Sequence, residues 1–287
     1  FDVTSADTSV AATHIVYTEH TIEAQTIRNS GWDYTSSSSY LTLSFQIRSS
    51  KTGTYCVFLQ TNDGTAYQYT QEYTISSADT WEQKVLTFPG NSNLTFNNDS
   101  GKGLIVAWVW AVGSSRYGTA GSWTTSSAYG TSNQVNFLDN TSNIAYITGV
   151  QLEVGQFTSS TIPPFQHESY GDNLRRCQRY YCQVGTVGAT QSGFPARAYS
   201  SSGMVWAVPV PVPFRAEPSI TVVGTVRAFA GDSTTYKDST SASISSYGNT
   251  NSSMIMLQST GFSSITDNKA YNVHAINDTS YKFDAEL

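Results

Sequence analysis

The sequence predicts an all-β protein built of two modules, and three observations carry that prediction. Between Tyr40 and Arg48, Leu41, Leu43, Phe45 and Ile47 alternate strictly with Thr42, Ser44, Gln46 and Arg48, the two-residue period of a strand with one buried and one wet face. Similar short apolar runs recur between clusters of Gly, Asn, Asp and Ser, at the spacing of a β-sandwich. Up to residue 155 no helix-period segment competes with them. With 287 residues the chain has room for two domains, each burying its own core. The expected division is a β-sandwich over 1–155, a linker and short helix over 156–183, and a second, smaller β-sandwich over 184–287.

Taken in order, the first strands are expected between His14 and Ile27, where Ile15-Val16-Tyr17 and Ile22 with Ile27 bracket Glu19 and Glu23. After the Tyr40–Arg48 strand, Lys51-Thr52-Gly53 supplies a turn, so Tyr55 to Gln60 is expected to return beside it as a hairpin. Asn62-Asp63-Gly64 is the next turn, and Tyr67 to Ile75 and Trp81 to Phe88 read as two more strands. Asn91 to Lys102 is a loop by composition, since its Asn, Asp, Ser and Gly residues favour turns. Leu104 to Val112 is apolar on both faces and is predicted to be central in its sheet. A long Gly-, Ser- and Thr-rich loop follows from Gly113 to Gln134, then strands at Val135 to Leu138 and Ile144 to Gly155.

Gln156 to Gln166 is too polar to continue that last strand, and Pro163-Pro164 makes it a stiff, extended connection. Past it, Leu174, Cys177 and Tyr181 recur at helical spacing behind Ser169 or Asp172 as cap, so a short helix carries a narrow apolar stripe. In the second module, Met204, Trp206, Val208, Val210 and Val212 alternate with a row that includes Pro209, Pro211 and Pro213. Prolines at every second position remove ladder donors, which predicts an edge strand or a polyproline-like extended segment. Further strands are expected at Pro218–Val226, Ala242–Ser246, Ser253–Leu257, Ala270–Ile276 and Tyr281–Leu287, with polar turns at Gly231–Ser241 and Tyr247–Ser252.

A net charge of −6 and the lack of a basic run argue against nucleic acid as a partner. No apolar window reaches the length of a membrane span, so no membrane insertion is expected, and no secretory pattern opens the chain. Cys56, Cys177 and Cys182 are odd in number and without metal-site clustering, which reads as free thiols. His14, His20, His167 and His274 lie far apart, and no nucleophile elbow occurs. The available carboxylates, among them Asp63, Asp79, Glu82, Asp99 and Asp139, sit mostly beside turn residues, where backbone reasons account for them. The chain is therefore expected not to be an enzyme and to need no cofactor.

Aromatic residues in loops suggest a different activity. A sugar ring lays its apolar C–H face on an indole or phenol while neighbouring amides and carboxylates bond its hydroxyls. Trp32 and Tyr34, with Tyr117, Trp123 and Tyr129, fit that description. They fit a second description as well, in which loop aromatics cap the end of a sandwich core.

The run Thr148-Gly149-Val150-Gln151-Leu152-Glu153-Val154-Gly155, followed by Pro164-Phe165-Gln166-His167-Glu168-Ser169-Tyr170-Gly171 and Cys177-Gln178-Arg179-Tyr180-Tyr181, resembles a signature of bacteriophage tail-fibre and related virion proteins. Lys51 to Tyr55, Ala78-Asp79-Thr80-Trp81-Glu82 and the closing Phe283 to Leu287 extend the likeness more weakly. The resemblance implies a jelly-roll β-sandwich like a carbohydrate-binding module, then a short helical neck and a second smaller β-sandwich domain. It implies a place on the virion, in the tail or on the capsid surface. The expected partners are host-surface polysaccharide, other virion proteins through a region preceding Phe1, and further copies of the chain in a homotrimer. In that arrangement Leu174, Cys177 and Tyr181 are shared around the axis, whereas in the plainer one they pack on their own chain. The resembled class also implies a structural calcium, with Glu23 and Glu153 as its carboxylates. A capsid decoration subunit and a polysaccharide depolymerase are the alternatives to an adhesive fibre.

Overall fold

The computed structural model describes residues 1–185, 193–230, 236–240, 244–247 and 253–286. The chain divides into two compact units, Phe1–Gln166 and His167–Leu287, both built from curled antiparallel sheet, so the fold is all-β.

The first unit contains β1 (Ile15–Glu23), α1 (Ala24–Arg28), β2 (Tyr40–Ser49), β3 (Gly53–Thr61), β4 (Gln68–Ile75), β5 (Glu82–Pro89), β6 (Lys102–Val112), β7 (Trp123–Thr124) and β8 (Ala145–Val154). A five-stranded sheet in the order β1-β6-β3-β4-β7 faces a three-stranded sheet in the order β5-β2-β8. The chain changes sheet between β1 and β2, β2 and β3, β4 and β5, β5 and β6, and β7 and β8, which makes a jelly-roll sandwich. The hairpin expected of β2 and β3 is therefore absent: β2 pairs with β5 and β8, and β3 with β4 and β6. Both strands bury their odd-numbered apolar side chains, and two such faces gain more by meeting across a core than by lying side by side.

That core holds Leu41, Leu43, Phe45 and Ile47 from β2 against Tyr55, Val57 and Leu59 from β3 and Val106, Trp108 and Trp110 from β6. Phe45 sits edge-on to Tyr73 at 5.3 Å and to Trp108 at 5.6 Å. The other face of β6 is apolar too, as predicted for a central strand. Ile105, Ala107 and Val109 pack with Cys56, Phe58 and Tyr129 in a smaller cluster on the outside of the five-stranded sheet. The long loop after β6 supplies Tyr129 to that cluster, which explains how a strand can be apolar on both sides of a two-layer unit.

Three local expectations are corrected. The second apolar group is split: Ile22 stays on β1, whereas Ile27 is helical, because Ala24 and Ile27 of α1 turn inward while Ala24 N and Gln25 N donate to Gly101 O and Asp99 O. Val135 to Leu138 is not a strand; Phe137–Asp139 is a single 3-10 turn capped by Asn136, whose side chain accepts from Leu138 N. The segment from Gln156 to Gln166, expected as a stiff, extended connection, turns at Thr158–Ile162 and belongs to the first unit. Phe157 N donates to Thr42 Oγ1 at 3.1 Å and Gln151 Nε2 to Pro163 O at 3.1 Å, so it lies back across the outer face of the three-stranded sheet.

The second unit contains α2 (Tyr170–Gln178), β9 (Tyr181–Val184), β10 (Phe194–Ala198), β11 (Met204–Pro209), β12 (Ser219–Phe229), β13 (Lys237–Thr240), β14 (Ile244–Ser246), β15 (Met254–Ser259) and β16 (Ala270–Asp284). One eight-stranded sheet runs β13-β12-β16-β10-β11-β15-β14, with β9 also on β16. It curls into a half-barrel around Trp206, Val208, Leu257, Tyr281 and Phe283. The proline-bearing strand is not at the edge: β11 lies between β10 and β15. It tolerates that position because it stops at Pro209, leaving Pro211 and Pro213 outside the ladder. The two strands expected between Ala270 and Leu287 are one, β16, which pairs with β10 near its start and β9 near its end. Of the expected turns at Gly231–Ser241 and Tyr247–Ser252, most residues lie outside the described ones, although Lys237–Thr240 within the first is strand β13.

Candidate functional site

The five loop aromatics do not form one cluster. Trp32 is 3% exposed and packs with Tyr34 and Phe96, Tyr34 meeting Phe96 edge-on at 4.9 Å, so this pair closes one end of the core. Trp123 is half-buried; its ring stands edge-on to Tyr69 at 5.3 Å and its Nε1 donates to Pro89 O at 2.7 Å. Trp32 lies in the core and Tyr34 and Trp123 pack against it, as caps of a core do.

Tyr117 and Tyr129 belong to a different surface. Loop residues Tyr117 and Gly130 form a bridge, Tyr129 N donates to Arg116 O at 3.0 Å, and Thr70 Oγ1 donates to Ala128 O at 2.8 Å. These bonds fold the loop over the outer face of the five-stranded sheet. There Tyr129 lies edge-on to Phe58 at 5.0 Å, and Tyr17 meets the same Phe58 ring at 5.4 Å. The Arg116 guanidinium sits 5.8 Å from the Tyr129 ring and donates through Nε to Thr13 O at 3.1 Å. Tyr17 and Tyr117 stay about two-fifths exposed, at 39% and 40%. Burial first, then the nearby Glu19 carboxylate and Tyr129, push the Tyr17 phenol above its ordinary value, so it remains a hydroxyl donor at neutral pH. The surface combines aromatic edges, a guanidinium, a carboxylate and phenol hydroxyls, a set suited to hydroxyl-rich ligands. Tyr17 was missed by the search for loop aromatics because it stands on β1. Its signal was the alternation that puts Ile15, Tyr17 and Glu19 on the outward side.

Beside this surface a polar chain runs from the buried Cys56 to the exposed Asn133. Cys56 Sγ lies 3.8 Å from Thr131 Oγ1, and Thr131 in turn donates to Glu72 Oε1, which also accepts from Asn133 Nδ2 at 3.1 Å. Burial raises the Cys56 thiol to about 11, so the group is protonated and inert as a nucleophile. The Gln134 amide continues the ladder where pairing of β3 with β6 ends, accepting from Cys56 N at 2.6 Å and donating to Val109 O at 3.1 Å. These contacts anchor the loop that carries Tyr129.

The neck residues separate. Leu174 and Cys177 lie on α2, whereas Tyr181 begins β9 opposite Asp284, beyond the helix, because Tyr180 N and Arg179 N close the last turn. Ser169 caps α2, its side chain accepting from Asp172 N at 3.2 Å, and Arg176 pairs with Glu168 at 2.9 Å. No residue of α2 is buried within the chain.

Glu23 is buried at the end of β1 beside Gln25, which donates to it, while Glu153 stands on β8 in the other sheet and accepts from Gln151 at 2.8 Å. Among the described residues no three His, Cys, Asp or Glu side chains gather in a group able to hold a metal ion. The amide partners of the two glutamates are what the structure shows at those positions. Among the described residues no helix is long and apolar enough to cross a membrane. Comparison with known proteins finds no matching family, no matching curated protein and no matching solved structure.

Proposed function

We propose that this chain is part of a virion fibre or spike that adheres to polysaccharide on a host surface and performs no catalysis. The observation that carries the proposal is the outer face of the five-stranded sheet, where Tyr17, Tyr117 and Tyr129 stand beside Arg116 and Glu19. The likeness of the segment around Gly149–Tyr181 to tail-fibre proteins supports the virion setting, in the tail or on the capsid surface, outside the cell. The exposed helix supports self-association. Nine residues of helix are marginal in water without packing partners, and α2 buries no side chain of its own. Three copies sharing Leu174 and Cys177 about an axis would supply the missing contacts.

The test is adhesion. On a printed glycan array, Tyr17→Ala with Tyr129→Ala is expected to lower binding about tenfold relative to the unaltered chain, with the same circular dichroism. An unchanged array signal from that pair overturns the assignment of this face. Light scattering is expected to give three times the 31.2 kDa chain mass, and a monomer mass overturns the shared neck.

A further inference from the structure

The opposite sheet of the first unit carries a second aromatic surface that the loop residues did not disclose. We propose that Trp81, Tyr146, Arg48 and Asp79 form a separate binding platform for a neutral hexopyranoside.

The register of the three-stranded sheet builds it. Arg48 is paired with Tyr146 on β8, and Ile47 with Glu82 on β5, which places Trp81, the residue before Glu82, on the other flank of Arg48. The two rings lie 6.5 Å apart, tilted by 53°, and the Arg48 guanidinium stands 5.8 Å from the centre of the Tyr146 ring. Trp81 is 48% exposed and Tyr146 51%, among the most exposed large aromatics of the unit. The next row of the same face is polar: Gln46 is paired with Gln83 on one side and Thr148 on the other. Further along, the face is closed, because the segment carrying Phe157 and Pro163 crosses it. An open aromatic row therefore adjoins an amide and hydroxyl row, and both end at a wall.

The loop presenting Trp81 is held in place. Glu82 Oε1 accepts from Ser76 N at 2.9 Å and Ser77 N at 2.7 Å, and Asp79 N donates to Ser49 O at 2.8 Å. Asp79 adopts a left-handed backbone with φ of 55°, a conformation that costs a non-glycine residue free energy and persists where the surroundings impose it. It puts the Asp79 carboxylate 3.4 Å from Arg48 Nη2. This long contact, 41% and 64% exposed on its two sides, is the guanidinium's one hydrogen bond among the described residues. Core packing does not require such an arrangement.

The chemistry of the pair selects the ligand. A guanidinium donates and a carboxylate accepts, so together they match two neighbouring hydroxyls, while the tilted rings accept the C–H face of a pyranose. Asp79 already offsets Arg48, and the chain carries −6 overall, so a polyanionic saccharide meets no unbalanced cation here. The site does not depend on the function proposed for the Tyr129 face, from which it is separated by the whole sandwich core.

The test is titration calorimetry of the full chain with oligosaccharides of glucose, galactose and mannose, and with oligogalacturonate as the acidic arm. Saturable binding of at least one neutral oligosaccharide is expected, weakened about tenfold or more by Trp81→Ala and by Tyr146→Ala. Tyr247→Ala, at an exposed ring of the second unit outside both surfaces, is expected to leave that affinity within about twofold. Both altered side chains are half-exposed, and an unchanged melting temperature shows that folding is intact. No saturable binding of any neutral oligosaccharide overturns the proposal, as does binding indifferent to both aromatic substitutions or confined to oligogalacturonate. Loss through Tyr129→Ala alone assigns the binding to the other face and likewise overturns this one.

Discussion

Ser239 on β13 and Ser259 on β15 meet hydroxyl to hydroxyl at 2.7 Å in the interior of the second unit. They stand near opposite ends of the strand order, so this contact records how far the sheet has curled. Ser259 Oγ also accepts from Gly261 N at 3.1 Å. Removing either hydroxyl gives up this buried hydrogen bond, and removing that of Ser259 gives up the bond from Gly261 N as well. Ser259→Ala is therefore expected to cost about 2 kcal/mol and Ser239→Ala about 1 kcal/mol. Hydrogen exchange of the β12 and β16 amides measures both; equal protection in the two variants and the parent shows that the curl does not rely on this contact.

In the first unit Gly103 of β6 lies tight against Ala24 of α1. A Cβ at Gly103 would lie 2.4 Å from Ala24 Cα and 2.7 Å from Ala24 N, so the backbone itself would have to move. Gly103→Ala is expected to destabilise the unit by about 1–3 kcal/mol, as overpacking does. Phe45→Ala, at a fully buried ring, is expected to cost about 3–5 kcal/mol. Urea denaturation followed by tryptophan fluorescence measures both, and a neutral Gly103→Ala would show that α1 can shift freely.

Acid weakens both units through named carboxylates. The hydrogen bond and charge of Lys51 hold Asp139 below the ordinary aspartate value of 3.8, against some desolvation. In the second unit Arg227 does the same to Asp238 through two bonds of 2.7 and 2.8 Å. A carboxyl whose folded value is depressed stabilises the fold above its unfolded value and loses that contribution as pH falls through the folded one. Melting temperature is thus expected to be flat in these contributions above about pH 5 and to fall below about pH 4. Asp139→Asn and Asp238→Asn should each flatten that fall, and full acid sensitivity in both variants would place its origin elsewhere.

The three thiols differ sharply in access. Cys56 and Cys182 are buried and Cys177 is exposed on α2. Burial raises the Cys56 and Cys182 thiols, which suppresses their thiolate. A disulfide reagent is expected to modify Cys177 alone in the native protein. If α2 associates with copies of itself, that reaction slows as protein concentration rises. A rate independent of concentration counts against the shared neck.

Much of the strand content was legible because the strand period is local. Each side chain alternates with its neighbour, so Leu41 to Ile47 announce a buried face wherever the strand goes. Partnership is not local. Tyr55, Val57 and Leu59 have the same period whether they lie beside β2 or opposite it, and the core chose the second. Proline spacing misled for a similar reason: it describes a strand through Pro213, and the ladder stops at Pro209.

Exposure of the aromatics belongs to the tertiary structure altogether. Trp32 and Trp81 both stand among polar residues in the chain, yet one is 3% and the other 48% exposed. Near neighbours alone do not determine this, because Tyr34 covers Trp32 only together with Phe96, more than sixty positions away, and what stands beside Trp81 is Tyr146 from another strand. The pattern of polar and apolar residues thus made two β units of this chain, while contacts between distant segments decided which rings remain in water.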